Sequence, residues 1–411
     1  MPCSCDLAIT NIRQLVTCEP ALSNSDDPEA RTIGVIDRAA IATSGGEVAW
    51  VGSARDFEAS GAAPAAVLDG SRMVVLPGFV DSHTHTVFAG TREREYEARI
   101  KGGSYMDIAA SGGGIKATVR AVRQATQDQL AEAGLARARE MLEWGTTTVE
   151  IKSGYGLSLE AELKMLRAIK AVGNGSAADV VPTFLGAHEI PDEFAGRRGA
   201  YVDLVVKEMI PAVAEEGLAE FCDVFCEQGV FTPVEAVRIL TSARDHGMRP
   251  MIHADEFADS GAAQVAAEVG AVSAAHLAHS ASSGLEAMRR AGTVAVLLPG
   301  VAVGLARAEF ADARRMLGMG LSIALATDFN PGSSMIHSLP IVASLACSFM
   351  RLSPAEALFA VTRGGARALG RDHVVGSLSV GKRADMVLFD VPDFRYIPYH
   401  MGGARPEMVL K

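Results

Sequence analysis

Residues that can bind a metal ion or transfer a proton recur where short apolar runs of this chain end. Eight such runs follow one another, and five end in groups of this kind: Asp81-Ser-His83-Thr-His85, His188, His253, His276 and Asp328. His83 and His85 are two positions apart, so on a β-strand both imidazoles point to one face, as joint coordination of one ion requires. The pair alone is equally well explained as two hydrogen-bonded polar residues. Together with His253 and Asp328 at other strand ends, it predicts a metallohydrolase.

The apolar runs themselves predict eight strands, most of them rich in β-branched or aliphatic residues. They are Leu76–Ser82, Thr146–Lys152, Val180–Gly186, Glu220–Cys226, Pro250–His253, Val272–His276, Thr293–Leu298 and Ser322–Thr327. Apolar residues recur every three or four positions between them, which predicts helices at Leu159–Val172, Tyr201–Glu216, Pro233–His246 and Gly261–Val269. This alternation favours an α/β fold, a (β/α)8 barrel of the TIM type, although an open doubly wound sheet produces similar local patterns. In such a barrel the carboxyl ends of all strands meet at one rim.

The two ends of the chain differ from its centre. Residues 1–72 contain short alternating segments, such as Thr32–Ile36 and Glu47–Val51, and residues 374–411 have a similar pattern. We expect the two ends to join into one small β-sandwich-like domain. The barrel would then occupy residues 73–373.

The first strand–helix unit of the barrel is unusually long. It contains Ser111-Gly-Gly-Gly-Ile115, which has too many glycines for a helix interior. We therefore predict a loop around Gly112 near the rim, where long loops usually cover a substrate.

Composition excludes several classes of partner. The chain has 411 residues, of which 49% are hydrophobic and 21% charged, enough to bury a sizeable core. A net charge of −11 would repel phosphate backbones and anionic lipids, so we expect neither nucleic acid nor a membrane as partner. The amino terminus has no basic segment followed by an apolar one, and we expect a cytoplasmic protein. The six cysteines lack paired CxxC spacing and are expected to be reduced thiols.

Several longer motifs resemble those of a known family. The stretch Gly78-Phe-Val-Asp-Ser-His-Thr-His85, the histidine of the fifth strand, Asp328 of the eighth and Gly381-Lys-Arg-Ala-Asp385 resemble the amidohydrolase superfamily. More narrowly, the chain is similar to the imidazolonepropionase family. That similarity lies in Val87-Phe-Ala-Gly-Thr-Arg92, Ser111–Ile115, Glu150-Ile-Lys-Ser-Gly-Tyr-Gly156, Phe184-Leu-Gly-Ala-His188, Phe221-Cys-Asp-Val-Phe-Cys-Glu227, Leu297-Leu-Pro-Gly300 and Thr327-Asp-Phe-Asn-Pro-Gly332.

This resemblance implies an activity and a cofactor. The implied reaction opens the ring of a small molecule, 4-imidazolone-5-propanoate, to N-formimidoyl-L-glutamate during histidine degradation. The resemblance also implies a homodimer and one divalent ion per chain, zinc or iron, held by His83, His85, His253 and Asp328. A second ion would need a bridging carboxylated lysine or a carboxylate on the fourth strand. The best candidates there are Cys226 and Glu227, and Lys152 ends the second strand on the wrong side, so we expect a single ion.

Three residues are candidates for proton transfer in that reaction. Asp328 would accept a proton from water, and Glu256 would pass one to the departing nitrogen. His276 would orient the attacking water or the ring, although a hydrogen bond that only supports the site explains it nearly as well.

Further residues are implied to line the substrate pocket: Arg92, Tyr155, His188, Glu256, Asn330, Gly332 and Ser333. Arg92 is the natural partner of the substrate carboxylate, the alternative being a surface ion pair with Glu93 or Glu95. Tyr155 and His188 are alternatively buried residues of the core. Gly332 would act through an exposed backbone N–H.

Some positions depart from the family pattern. His253-Ala-Asp-Glu256 matches the HxxE pattern of aminohydrolases such as guanine deaminase, so deamination of a heterocycle remains the alternative activity. Ala275 stands where the family usually has aspartate, and Val301-Ala-Val303 replaces a bulkier aromatic sequence. These changes would widen the pocket and admit another cyclic amide.

Overall fold

The computed structural model describes residues 5–102 and 113–411. Within these ranges fifteen strands form two sheets. In chain order the strands are β1 (Leu7–Val16), β2 (Val35–Ser44), β3 (Glu47–Ser53), β4 (Ala66–Asp69), β5 (Met73–Pro77), β6 (Phe79–Asp81), β7 (Thr146–Lys152), β8 (Asp179–Ala187), β9 (Phe221–Cys226), β10 (Arg249–Ala254), β11 (Ser273–His276), β12 (Val294–Leu297), β13 (Ile323–Leu325), β14 (Met386–Asp390) and β15 (Met408–Leu410).

The second sheet is the predicted barrel. Strands β6 to β13 pair in sequential order, and each neighbouring pair is parallel. The ring closes through the segments that follow its first and last strands, since Asp328 N donates to His83 O and His85 N donates to Phe329 O, both at 3.0 Å. These observations confirm the (β/α)8 architecture. They also show that two predicted metal-binding segments are hydrogen-bonded to each other.

The helices mostly alternate with the barrel strands and pack around them. They are Pro28–Thr32, Ala54–Ala59, Glu93–Ile100, Ile115–Gln124, Gln127–Glu143, Leu159–Gly175, Arg198–Leu204, Ile210–Glu215, Pro233–Asp245, Ala262–Glu268, Ser282–Ala291, Pro299–Gly304, Ala313–Gly318, Leu339–Met350, Pro354–Phe359, Gly365–Ala368 and Tyr396–Tyr399. Short 3₁₀ turns span Pro20–Leu22 and Asp192–Phe194, and π-helical turns span Val205–Met209 and Ala360–Gly364. Helix starts follow local chemistry: Thr232 and Ser353, for example, each form a capping box with the glutamate three positions later.

The predicted strand Leu76–Ser82 was wrong as a single element. It is two strands, β5 in the first sheet and β6 in the barrel, with Gly78 between them. A Cβ at Gly78 would collide with the side chain of Thr147 on β7, so only glycine fits this passage between the sheets. The chain therefore enters the barrel after Gly78, not at residue 73.

The first sheet combines both chain ends, as expected. Its strand order is β15-β14-β5-β1-β2-β3, with β4 also paired to β1. It is one curved sheet, because β3 returns to the carboxyl-terminal segment: Val48 N donates to Lys382 O at 2.8 Å and Gly381 N to Val48 O at 2.9 Å. Its apolar core includes Ile12, Ile41 and Leu388. The division into two domains stays a prediction.

Three other expectations meet the structure only in part. The predicted loop around Gly112 lies outside the described residues, which resume at Gly113. Among the described helices, none is long and apolar enough to cross a membrane. The five described cysteines are free thiols.

Candidate active site

The four predicted metal ligands lie together at the carboxyl ends of the barrel strands. His83 and His85 follow β6, His253 lies in β10 and Asp328 follows β13, and all four are buried. Nε2 of His83 and Nε2 of His85 are 3.6 and 3.5 Å from Asp328 Oδ1. A ring nitrogen of His253 lies within 4.8 Å of a ring nitrogen of His83. A ring nitrogen of His253 also lies within 4.8 Å of one of His85. Closure of the barrel thus gathers residues that are far apart in sequence.

The donor atoms of this cluster fit a divalent cation. His83 Nε2, His253 Nε2 and Asp328 Oδ1 are buried and have no hydrogen-bond partner within the described ranges. Buried polar atoms without a partner are costly, and one cation would satisfy all three. Burial lowers the pKa of His83 and of His85 well below the usual value, so both imidazoles offer neutral lone pairs. The cluster therefore has the chemistry of a divalent-metal site.

The backbone is strained at two of these strand ends. The φ angle is 72° at His276 and 46° at Asp328, in the left-handed region that residues with a side chain rarely adopt. Such conformations persist only where the surrounding structure enforces them, and they concentrate at functional sites. At Asp328 the main-chain hydrogen bond to His83 O and the Asn330 side chain, which donates to Asp328 O at 2.7 Å, both contribute.

The fourth barrel strand corrects the expectation about a bridging group. The carboxylate that faces the cluster is Asp223 in β9, whose Oδ1 lies 3.0 Å from His253 Nδ1. Cys226 and Glu227 do not take this position. Glu227 instead accepts a hydrogen bond from Phe257 N at 2.8 Å, which fixes the loop after β10. Asp223 therefore directs the other nitrogen of His253 toward the cluster.

One cavity of about 680 Å³ opens onto the cluster. Its walls include His85, His253, His276 and Asp328, and also all seven residues predicted for the substrate: Arg92, Tyr155, His188, Glu256, Asn330, Gly332 and Ser333. These seven residues come from segments after five different strands, β6, β7, β8, β10 and β13. The structure thus brings the predicted catalytic and substrate-binding residues into one space.

Arg92 lies in this cavity and is also ion-paired. Its guanidinium donates from Nε to Glu95 Oε2 at 2.8 Å. An ion pair with Glu95 was one of the alternatives for Arg92, but as a surface pair. Both side chains are instead mostly buried in the cavity wall. An added Cβ at Gly332 would collide with Arg92 Nη1, so glycine permits this approach. The Gly332 N–H was expected to be exposed, but it donates to Asn330 Oδ1 at 2.8 Å. Asn330 also accepts from Ser333 N at 2.8 Å, so these three residues form one tight turn.

Two rings cover the side of the cavity next to His85. The His188 ring stacks on His85 with a centroid distance of 5.0 Å, and the ring centroid of Tyr155 lies 5.4 Å from that of His188. His188 Nδ1 is bonded to Gly154 O at 3.0 Å. Burial and nearby His253 lower the pKa of His188 to about 3, and burial raises the pKa of Tyr155. Both side chains are therefore neutral groups.

Glu256 and His276 face each other across the cavity floor, with 3.6 Å between Oε2 and Nε2. Burial and the Asp328 carboxylate raise the pKa of Glu256 well above its ordinary value. Burial and His253 lower the pKa of His276 well below its own. Glu256 thus supplies the carboxyl partner that Ala275 cannot give to His276.

Several cavity residues were missed from the sequence. Arg99 donates to Gly304 O at 2.9 Å and to Gly332 O at 3.0 Å, and so ties three active-site segments together. Arg307 lies 4.5 Å from the ring centroid of Phe257, and both residues line the cavity. No motif marked these positions, since arginines are common at protein surfaces.

Solved structures with the same fold extend over the whole chain. An adenosine deaminase from Xanthomonas campestris with bound zinc superposes with a TM-score of 0.72 at 20% identity, covering 100% of this chain and 92% of that one. A 5-methylcytosine deaminase from Klebsiella pneumoniae gives a TM-score of 0.74 at 15% identity, covering 98% and 95%. At these identities the likeness concerns the fold alone. Fold and site together define a metal-dependent hydrolase built on a (β/α)8 barrel.

Sequence comparison narrows this class. The model of the amidohydrolase family matches residues 74–409. The imidazolonepropionase of Symbiobacterium thermophilum is 52% identical over 346 residues, covering 84% of this chain and 81% of the relative. That of Shouchella clausii is 45% identical over 412 residues, covering 98% and 91%. The chain belongs to the amidohydrolase family and, within it, to the imidazolonepropionases.

Proposed function

We propose that this chain adds water to the ring of 4-imidazolone-5-propanoate and releases N-formimidoyl-L-glutamate, a step of histidine degradation. The observation that carries the proposal is the shared cavity. It joins a histidine–aspartate cluster suited to a divalent ion with an arginine suited to a carboxylate. Membership of the imidazolonepropionases supports the same reaction.

The metal centre is proposed to consist of His83, His85, His253 and Asp328. When bound there, a zinc or iron ion would lower the pKa of a water molecule to about 7 and polarise the ring carbonyl. The unpartnered buried atoms of His83, His253 and Asp328 support this ligand set. Elemental analysis of protein purified without chelators distinguishes zinc from iron and gives the number of ions per chain.

Proton transfer is assigned to Asp328, Glu256 and His276. Asp328 accepts the proton that the attacking water loses, a role open to a carboxylate that stands beside His83 and His85. Water adds to the ring carbonyl carbon, the carbonyl carbon–nitrogen bond breaks, and a carboxylate forms. Glu256 donates a proton to the departing nitrogen, and His276 holds Glu256 in place through the contact between their side chains.

Substrate orientation is assigned to the opposite cavity wall. Arg92 meets the propionate carboxylate, for which a guanidinium fork is well shaped. Tyr155 and His188 contact the ring, and the turn of Asn330, Gly332 and Ser333 supports Arg92. Glu95 already pairs with the Arg92 guanidinium. The substrate carboxylate must therefore bind the guanidinium beside Glu95.

Product analysis tests the proposal directly. Purified enzyme is incubated with 4-imidazolone-5-propanoate, and products are followed by mass spectrometry and an ammonia assay. We expect N-formimidoyl-L-glutamate and no ammonia. Ammonia release with an intact ring would support the heterocycle deaminase alternative that the HxxE pattern left open. A stoichiometric metal without turnover would refute the substrate and point to another cyclic amide.

The homodimer implied by the family resemblance also stays a prediction. Size-exclusion chromatography with light scattering measures the molar mass in solution and tests it.

A further inference from the structure

Lys152 is a fully buried lysine inside the barrel, at the end of β7. Its ammonium group lies 2.9 Å from Glu150 Oε1 and 2.8 Å from Asp223 Oδ2. The side chains of Glu150 and Asp223 are at most 1% exposed to solvent. A charge this deeply buried must be balanced by partners, so the three groups form one unit.

Each carboxylate of this unit also holds a segment that bears metal ligands. Asp223 Oδ1 accepts from His253 N at 3.1 Å and lies 3.0 Å from His253 Nδ1. Glu150 Oε2 accepts from Thr84 N at 3.1 Å, and the Thr84 hydroxyl donates to Glu150 O at 2.6 Å. Thr84 stands between His83 and His85. The Lys152 ammonium is therefore connected through Asp223 to His253, and through Glu150 to the segment that bears His83 and His85.

The same contacts use both oxygens of the fourth-strand carboxylate. Oδ1 of Asp223 is engaged by His253, and Oδ2 is engaged by Lys152. A second divalent ion next to the first would need such a carboxylate as a bridging ligand. With Lys152 in place, each oxygen of Asp223 already has a nitrogen partner, and the ammonium charge stands beside Oδ2.

We propose that Lys152 is a positioning residue. It holds Glu150 and Asp223 so that His83, His85 and His253 converge, and by occupying Asp223 it restricts the centre to one divalent ion. This inference rests on the metal centre proposed above and concerns how that centre is built. It does not depend on which substrate is used.

The first test replaces the ammonium without shortening the side chain, in Lys152→Met. Zn²⁺ affinity is measured by competition with a chromogenic chelator, and the visible spectrum is recorded after Co²⁺ substitution. We expect the Zn²⁺ dissociation constant to rise roughly 10- to 100-fold, as for other supporting partners of metal ligands. The Co²⁺ spectrum should change, and kcat should fall more than KM rises. An unchanged dissociation constant and spectrum in the folded variant would overturn the positioning role.

The second test opens the space beside Asp223, in Lys152→Ala. In excess Zn²⁺ followed by desalting, we expect one ion per chain in the wild type and more than one in the variant. A variant that still binds one ion would overturn the exclusion of a second ion. Asp223→Asn provides the same affinity test if the Lys152 variants do not fold, as judged by circular dichroism.

A matched control separates positioning from general destabilisation. Glu162 is another fully buried carboxylate, and it accepts from Gly154 N at 3.1 Å and from Gly156 N and Leu157 N at 2.8 Å each. Glu162→Gln should lower the melting temperature but leave the Zn²⁺ dissociation constant unchanged. An equal loss of affinity in this control would overturn a specific role of Lys152.

Wild-type protein that binds no metal would overturn the inference, whereas metal binding without turnover of imidazolonepropanoate would refute only the proposed substrate.

Discussion

Two sides of the active-site cavity are built in different ways. The strand-end cluster (His83, His85, His253, His276 and Asp328) stands at the ends of barrel strands and is backed by buried carboxylates. The arginine wall (Arg92, Arg99 and Arg307) stands on loops and on the short helix after the first strand. In the proposed reaction the sheet fixes the groups that perform chemistry, while the connecting segments carry the groups that recognise charge, a common arrangement in barrel enzymes.

Charge is also handled differently on the two sides. Burial lowers the pKa of His83, His85 and His276 well below the usual value. Buried ring nitrogens of His83, His85 and His253 have no hydrogen-bond partner among the described residues. The arginine wall is positively charged, but its members are occupied to different degrees. Arg92 pairs with Glu95 and Arg99 donates to two carbonyls, whereas the Arg307 side chain has no hydrogen bond or ion pair among the residues that the structure describes. Substitutions on the two sides should therefore fail in different ways.

The largest effect is expected from His253→Ala. Loss of this ligand removes an imidazole that Asp223 holds in place, so metal content should fall from one ion per chain toward zero. Turnover should fall at least about 1000-fold, since the ion supplies several kcal/mol of transition-state stabilisation. Elemental analysis and steady-state kinetics measure both. The matched control is His246→Ala, an exposed histidine at the end of the Pro233–Asp245 helix, which should keep metal and activity. Full metal occupancy in His253→Ala would remove this residue from the ligand set.

A smaller effect is expected from Glu256→Gln, which lies at the border between the two sides. The amide keeps the size of the side chain but cannot donate the proton that the departing nitrogen needs. We expect kcat to fall roughly 100- to 10,000-fold, the range for loss of a general acid. Metal content and KM should stay near wild-type values. A variant with normal kcat and a raised KM would instead place Glu256 among the residues that only bind substrate.

The sequence predicted the strand-end cluster far better than its surroundings. Residues such as His253 and Asp328 could be placed because parallel strands of a barrel end at one rim, so strand position alone gives proximity. The contacts of Lys152 could not be predicted, for a related reason. Its alternation with Glu150 showed that both share a face, but not that the barrel presses this face against Asp223 on β9. A glutamate and a lysine two positions apart on one predicted barrel strand were the available signal.

The arginine wall could not be predicted in the same way. Arg92 was found through its motif, but its pairing with Glu95 was one of two alternatives that only the fold could decide. Contacts of Arg99 reach residues more than two hundred positions away in the sequence. The break between β5 and β6 at Gly78 could not be predicted either, because apolar residues stand on both sides of it in the run Leu76–Ser82. It depends on the close approach of Thr147.

On the arginine wall itself, Arg92→Met should raise KM and leave the metal centre intact. The guanidinium is mostly buried, and hydrogen bonds to a charged group contribute about 1.5–3 kcal/mol. We expect KM for imidazolonepropanoate to rise roughly 10- to 100-fold with a much smaller change in kcat. An analogue whose side chain ends in a neutral amide is the comparison, and its KM should change little. Equal losses for both compounds would show that Arg92 supports the cavity without recognising the carboxylate.

Arg307→Gln should give the smallest effect of the four. The side chain is exposed, so water and salt screen its charge, and interactions of this kind change rates only a few-fold. We expect kcat/KM for imidazolonepropanoate to fall about 2- to 5-fold at low ionic strength and to approach the wild-type value as salt is added. Kinetics from low to high sodium chloride, with Arg307→Lys as the charge-preserving control, measure this. A loss that is independent of salt would indicate that Arg307 acts through its contact with Phe257 and the shape of the cavity. In that case the arginine wall would resemble the strand-end cluster, where position matters more than charge.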